Sequence, residues 1–336
     1  MNLSGQRHTI TMDWAALKKR LGGGGASRSA NFVLPSVALE LQQEFVAGAR
    51  LDGSGHQVRS ISVRELQPGW LSAVVNHANV VDVAGVRRAV NQVAEAVGNG
   101  GGRLGLLLPD AAVRVALLQF ETLPDRRHDA EALVRWRMRE VLPLEPEHVR
   151  VSYEVLSRAK SAVEVLTLAA STAVLAEYEG LLQGINGGAA LILPATLALL
   201  PLLAGDRRSG QLLIHVCGGS VTTAVVANDR LHFWRSRVLT EGTPEAQRAE
   251  VAREAGRVVA TCRDHMMLDL ADIWLCSRPL GSPDLAGDIA RELGRDVRTL
   301  SSGPVHAAAL SPGEQDLVKR FGLTFAGLLA NARQNA

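Results

Sequence analysis

Residues 104–156 read LGLLLPDAAVRVALLQFETLPDRRHDAEALVRWRMREVLPLEPEHVRVSYEVL, and the organisation of the chain follows from this block. Leu104–Leu108 and Val113–Phe120 are rich in branched apolar residues and are separated by the turn signal Pro109-Asp110, so both read as strands. Asp129 is placed as a helix N-cap, and Leu133, Trp136 and Glu140 to Val141 follow at helical spacing until Pro143 stops the run. Val149–Leu156 alternates as a strand does, with Val151, Tyr153 and Val155 on one face. The block contains no catalytic triad, metal-ligand cluster or phosphate loop. It reads as a shape for contacts rather than a reaction site.

The composition bounds the function. At 336 residues the chain is long enough for two domains or one bilobed body. Its 36 Lys and Arg nearly balance 34 Asp and Glu, which argues against a dedicated nucleic-acid binder. Aromatic residues, at 4%, are too sparse to interleave with basic ones as a stacking platform. Cys217, Cys262 and Cys276 share no C-x-x-C spacing and read as buried free thiols in a reducing compartment. The most apolar run, Ala189–Ala204, is interrupted by Pro194 and Pro201 and is too short to cross a bilayer. With no secretory leader pattern either, the expectation is a cytosolic protein that meets a membrane only through a partner or through its N-terminal residues.

Taken in order, residues 1–34 form an appendage. Met12–Leu21 is a short helix with Trp14, Leu17 and Leu21 on one stripe, followed by the Gly22–Gly25 linker. It serves as a surface or partner anchor, or as a tail with no contact. Ser36–Leu41, Phe45–Leu51 and Gln57–Leu66 are strands, the latter two joined by the turn Asp52-Gly53-Ser54-Gly55. A helix over 83–97 places Val86, Val90, Val93 and Val97 on one face. After the opening block come a strand at Ala162–Ala170, a helix at Ala173–Gln183, and a strand and apolar helix within Ala189–Leu203. The break Gly205–Gly210 is the main boundary. Strands Leu212–Val216, Val221–Ala227 and Arg230–Val238 precede a long helix at Pro244–Leu270, strand Asp272–Cys276, helix Leu285–Leu293 and strand Asp296–Leu300. The tail Gln315–Ala332 is helical and packs back on the first lobe. Two cycles of three strands and a helix point to an internal duplication.

Single side chains add little chemistry. His215 and Cys217 share a strand face but have no third group in sequence to orient them as a base and thiol, and a packed histidine is the plainer reading. Arg126, Arg127, Arg135, Arg137 and Arg139 could meet an acidic partner or phospholipid headgroups, but the last three are spread around a helix and read better as a solvated face. Trp136 reads as a core anchor of that helix.

The segments LPDAAVRVALLQFETLP, ALVRWRMREVLPL and VRVSYEVL, with the order of blocks after them, resemble the type IV pilus assembly family PilM. The resemblance implies an α/β chain with a bilobed actin-like fold, duplicated sheet-plus-helix lobes and an inserted SHS2-type α+β subdomain. The boundaries it suggests are an appendage over 1–34, lobe I over 35–98 and 173–206, the insert over 99–172, lobe II over 207–303, and a C-terminal helix over 304–336 returning to lobe I. In this fold two hairpin turns of Asp-x-Gly type approach the phosphates of a nucleotide, with the Asp helping to hold magnesium. Here Glu40 keeps a carboxylate, but Gln42 stands in place of glycine and Glu44 adds negative charge. In the second hairpin His215 replaces the Asp and Cys217 a glycine, while Gly218, Gly219, Thr222 and Thr223 could still shape a loop. A third, adenosine-facing glycine pair aligns with Cys276-Ser277-Arg278-Pro279, where Pro279 lacks a donor. Departures at three contacts, each costing about 1–3 kcal/mol, would lower affinity by orders of magnitude. The expectation is therefore a degenerate site with no ATP or magnesium cofactor and no catalysis.

What remains is partner binding. The resemblance implies a cytoplasmic scaffold, peripheral to the inner membrane, that captures the cytoplasmic N-terminal tail of a PilN-like protein between lobe I and the insert. Other platform components and further copies of the chain are possible neighbours. The lining would come from Leu106, Leu108, Val113, Val115, Leu142, Pro143 and Leu144. Leu142 and Leu144 read equally well as closing the subdomain core. The competing readings are an active actin-like ATPase and the cytoplasmic L-type component of type II secretion.

Overall fold

The computed structural model describes residues 35–333 apart from 53–56, 99–101, 103, 143, 160, 186–187, 205–207, 279–282 and 302–309. The helix read over Met12–Leu21, most of the 52–55 turn, Pro143 and Pro279 lie outside the described residues. Strands β1 (Val37–Leu41), β2 (Phe45–Asp52) and β3 (Gln57–Glu65) form an antiparallel meander. β1 then pairs in parallel with β4 (Leu104–Leu108), and β4 with β8 (Ala189–Pro194), giving the order β3-β2-β1-β4-β8. The second half repeats this plan. β9 (Gly210–Cys217), β10 (Ser220–Ala227) and β11 (Arg230–Val238) form a meander, and β9 pairs in parallel with β12 (Leu270–Arg278), which carries the short β13 (Arg298–Thr299). The order is β11-β10-β9-β12-β13, so the duplication read from the sequence is present in the topology.

Between β4 and β8 the chain builds a separate sheet, β5 (Arg114–Phe120), β6 (Val149–Arg158) and β7 (Val163–Ser171), in the order β5-β7-β6. The inserted unit therefore starts after Pro109. Leu104–Leu108, placed in the insert from sequence, is a central strand of the first lobe, and its all-buried pattern is what a parallel strand covered on both faces requires.

The helices follow their apolar stripes. α1 (Val83–Ala96) buries Val86, Ala89, Val90 and Val93 against β1, and the Asp82 side chain caps it by accepting from Gly85 N at 2.9 Å. α2 (Arg127–Met138) covers the inserted sheet through Ala130, Val134 and Met138, one residue per turn. That register points Trp136 outward, 57% exposed, so it is not the core anchor expected of it. The helix also begins before Asp129, at Arg127. On its outer face Arg135 pairs with Glu131 and Arg137 with Glu140, both at 2.5 Å, which is the solvated face anticipated.

Short α3 (Thr172–Gly180) and α4 (Ala195–Leu199) follow β7 and β8. α5 (Pro244–Met266) ends four residues before the expected Leu270, because Met267 turns left-handed at φ 51° and Leu268 N donates to Cys262 O. It packs on α6 (Pro283–Leu293) over one face of the second sheet. The C-terminal tail is two helices, α7 (Pro312–Phe321) and α8 (Leu323–Arg333), packed on the outer face of the first sheet and on α4, as expected of the tail. Cys217, Cys262 and Cys276 are buried free thiols.

Candidate functional site between the lobes

Strand periodicity brings the polar residues of the cleft together. On β1, Leu39 and Leu41 face α1, so Glu40 faces the opposite side with Ala38, toward α8. On β9, Leu212 and Ile214 face α5, so Leu213 and His215 face the first lobe. On β12, Ile273 and Leu275 face the helices, while Trp274, Cys276 and Arg278 point the other way. The register pairs Cys276 with His215 and Arg278 with Cys217. An arginine is thereby carried on the last residue of an apolar strand into the seam between the sheets.

Arg278 and Glu40 are both fully buried side chains. The guanidinium donates from Nη1 to Glu40 Oε2 at 2.7 Å and lies 2.6 Å from Oε1 through Nη2, a fork-on-fork pair. Glu40 accepts further bonds from Gln42 Nε2 at 2.8 Å and from Thr324 Oγ1, on α8, at 2.5 Å. The other edge of Arg278 meets His215 Nε2, at 3.2 Å from Nε and 3.1 Å from Nη2. A guanidinium only donates, so His215 Nε2 accepts and its proton sits on Nδ1. Nδ1 faces Thr196 Oγ1 at 2.6 Å, and the Thr196 hydroxyl donates onward to Asp110 Oδ2. Asp110 also accepts from Thr196 N at 3.0 Å. The result is a buried chain from Glu40 of the first lobe through Arg278 and His215 of the second and back to Thr196 and Asp110 on the first-lobe side.

Charges in this seam follow from those partners. Burial alone would lower the Arg278 pKa, but the Glu40 carboxylate outweighs it and raises it, keeping the guanidinium charged. Burial pushes the His215 pKa below its ordinary value, and the Arg278 charge adds to that, against the opposing pull of Asp110. Burial would raise Asp110, yet the bonds from His215 and Thr196 hold it below the usual carboxylate range. Burial also pushes the thiols up, Cys276 to about 12 and Cys217 well above its ordinary value, so neither is a ready nucleophile. His215 does gain the third group missing from sequence, but both its nitrogens are engaged. Among the described residues no group of three His, Cys, Asp or Glu is placed to hold a metal.

The two hairpin turns meet above this chain. Gly218 and Gly219, at φ 56° and 69°, make the tight β9–β10 turn that their type requires. Gln43, in the β1–β2 turn, donates through Nε2 to Gly218 O and accepts at Oε1 from Ala73 N at 3.2 Å. The space between the turns, where the resemblance places phosphates, is thus occupied by Gln43, with Arg278 and Gln42 at its base. Of the residues expected there, Glu40, Gln42 and His215 join the cluster and Gly218 joins through Gln43. Thr222 does not: its hydroxyl donates to Ser236 Oγ at 3.0 Å within the β10–β11 ladder.

No protein-family model matches the sequence, and no curated protein matches it. The solved PilM–PilN type IV pilus biogenesis complex is similar, with a TM-score of 0.71 at 18% identity, over 90% of this chain and 98% of that one. The chain has the PilM fold. Its two duplicated lobes form a bilobed actin-like α/β fold, as the resemblance implied. A Bacteroides thetaiotaomicron protein with an actin-like ATPase fold is similar at a TM-score of 0.48 and 9% identity, over 84% of this chain and 94% of that one. The cytoplasmic domain of EpsL, an inner-membrane component of the Vibrio cholerae type II secretion system, gives 0.42 and 10%, over 76% and 93%.

Within the PilM fold the residues expected to line a partner groove are mostly interior. Leu106 and Leu108 are fully buried, and Val113 and Val115 join them in the core that unites the first lobe with the insert. Leu142 is fully buried in the insert's own core. Burial of β4 on both faces and the insert's own core claim these side chains for packing, so they offer no open groove wall. Among the described ones, Leu144 alone is partly exposed, at the rim of the insert core. Near it in sequence, Trp136 and Val141 are exposed.

The loop from β3 to α1 touches the same core through Val75. It is held by buried Asn79, whose amide donates to the carbonyls of Val74 and His77 at 2.7 Å and accepts from Tyr178 Oη at 2.9 Å. Sequence reasoning passed over Asn79, Asp110, Thr196 and Thr324. Arg278 carried a usable signal, as a charge ending an apolar alternation.

Proposed function

We propose that this chain is a non-catalytic scaffold of a type IV pilus inner-membrane platform, cytoplasmic and peripheral to that membrane, which captures the N-terminal tail of a PilN-like protein. The observation that carries the reading is the seam between the lobes: a buried guanidinium and two glutamine side chains stand where the fold would seat a magnesium nucleotide. The likeness to a PilM–PilN complex supports the partner class. No described helix is long and apolar enough to cross a membrane, which fits attachment through a partner.

The exposed side of the insert, at Trp136, Val141 and Leu144, is the surface we assign to the tail, because an extended peptide binds through apolar anchors without any catalytic group. Two measurements test this. Calorimetric titration with Mg-ATP is expected to give no binding, and a low-micromolar Kd would overturn the non-nucleotide part. A labelled peptide with the N-terminal tail sequence of a PilN-like protein is expected to bind. Trp136→Ala and Leu144→Asp should weaken it roughly tenfold or more, the scale of losing an aromatic or buried apolar anchor. Unchanged affinity in both, with circular dichroism intact, would overturn the surface assignment.

A further inference from the structure

We infer that Arg278 is a built-in clasp that holds the two lobes closed in place of a bound ligand. The inference rests on the proposed reading of a cleft without nucleotide, and the observations behind it are geometric. Three sets of contacts cross the seam: Arg278 with Glu40, His215 with Thr196 and Asp110, and Gly218 with Gln43. Arg278 supplies a positive charge from β12 of the second lobe and reaches the carboxylates on the first-lobe side, Glu40 directly and Asp110 through neutral His215 and Thr196.

The guanidinium spends donors in both directions at once, so it cannot be satisfied by either lobe alone. Opening the cleft would strand Glu40, whose remaining partners, Gln42 and Thr324, are neutral and in its own lobe. The cleft is therefore shut as a property of the chain, and the faces presented to a partner do not depend on a nucleotide cycle.

Hydrogen exchange on the full chain tests the clasp, read at the two turns, residues 41–45 and 216–220. In the natural protein these amides are expected to be protected, with no change on adding millimolar Mg-ATP. Arg278→Met should speed exchange there by roughly tenfold or more while the amides of α1 keep their protection, because an opening between lobes leaves each lobe folded. Where Arg278→Met does not fold, Glu40→Gln with Arg278→Met removes both charges and is read in the same way. Natural protection at the turns in the folded variant would overturn the clasp. So would turns that are open in the natural protein and close only with Mg-ATP. The calorimetric titration separates the two ideas: ATP binding there sinks the scaffold reading, whereas protected turns in the variant without ATP binding sink only the clasp.

Discussion

Replacing Arg278 and Glu40 by methionine, singly and together, measures how the lobes are coupled. Arg278→Met leaves a fully buried carboxylate with only the Gln42 amide and the Thr324 hydroxyl, and Glu40→Met leaves a buried guanidinium facing a neutral imidazole. Breaking one side of a buried pair in this way costs about 3–5 kcal/mol. In the double variant no charge is stranded. The remaining cost is that Gln42, Thr324 and His215 lose partners, at about 1 kcal/mol each or somewhat more.

The double variant should therefore lose about 3 kcal/mol, close to either single variant and far from the sum of the two. The coupling is then about 3 kcal/mol or more, against about 0.5 kcal/mol for independent sites. Urea unfolding followed by circular dichroism reads all four chains, with an unchanged slope as the check that the folded states are comparable. A stability of about 5–15 kcal/mol is typical for a domain, so the single variants keep only part of it and are best measured at low temperature. Additivity within about 0.5 kcal/mol would refute the view that this pair spans a dry seam.

Two further outcomes follow from the geometry. In the unfolded chain the His215 imidazole takes a proton below about pH 6.5, whereas in the fold its lowered pKa keeps it neutral, so stability must fall as the pH drops through that value toward the lower folded one. The stability advantage of the natural protein over His215→Gln should shrink by up to about 1.4 kcal/mol per pH unit in that window, and a difference flat from pH 7.5 to 5 would contradict the neutral assignment. Gly327, on α8, lies so close to α4 that a Cβ would fall 1.7 Å from Ala198 O, a backbone atom that cannot swing aside. Gly327→Ala should lose about 3 kcal/mol or more in thermal unfolding, while Gly313→Ala, with nothing within 4 Å, should change little; equal melting points would refute the close helix crossing.

Legibility followed physical range. The meander strands and α1 were readable because their apolar periodicity is strictly local. The duplication was readable for the same reason, since each half repeats the same local pattern. The end of α5 was missed because His265, Met266 and Met267 carry no breaker signal, and a left-handed methionine at a helix end has no signature in the sequence. Trp136 was misplaced because two stripes fit the α2 spacing, and only the sheet beneath decides for Ala130, Val134 and Met138.

The site was half legible. Alternation alone tells that His215 and Cys217 share a face, but Asp110 reads as a turn residue and Thr196 as part of an apolar helix. Their convergence on His215 spans separations of 105 and 19 residues, which no local pattern encodes. The partner lining was hard to read for the opposite reason. Leu106, Leu108 and Leu142 have the side chains of a peptide groove and of a core alike, and burial decides between them.

The seam also bears on why a scaffold would keep polar residues at its centre. Buried ion pairs are often matched or exceeded in stability by apolar groups of similar volume, so stability alone does not call for Glu40 and Arg278. What apolar packing lacks is direction. The Glu40 oxygens accept from Arg278, Gln42 and Thr324 along fixed lines, and His215 can satisfy Arg278 and Thr196 together only in one tautomer and one ring orientation. Those constraints tie the ends of β1, β9 and β12 and the start of α8 to a single mutual placement. The insert joins the first lobe through the core containing Leu106, Leu108, Val113 and Val115, and β11 of the second lobe packs against β5 of the insert. A fixed placement of the lobes is therefore also a fixed placement of the insert on which Trp136 and Val141 are presented.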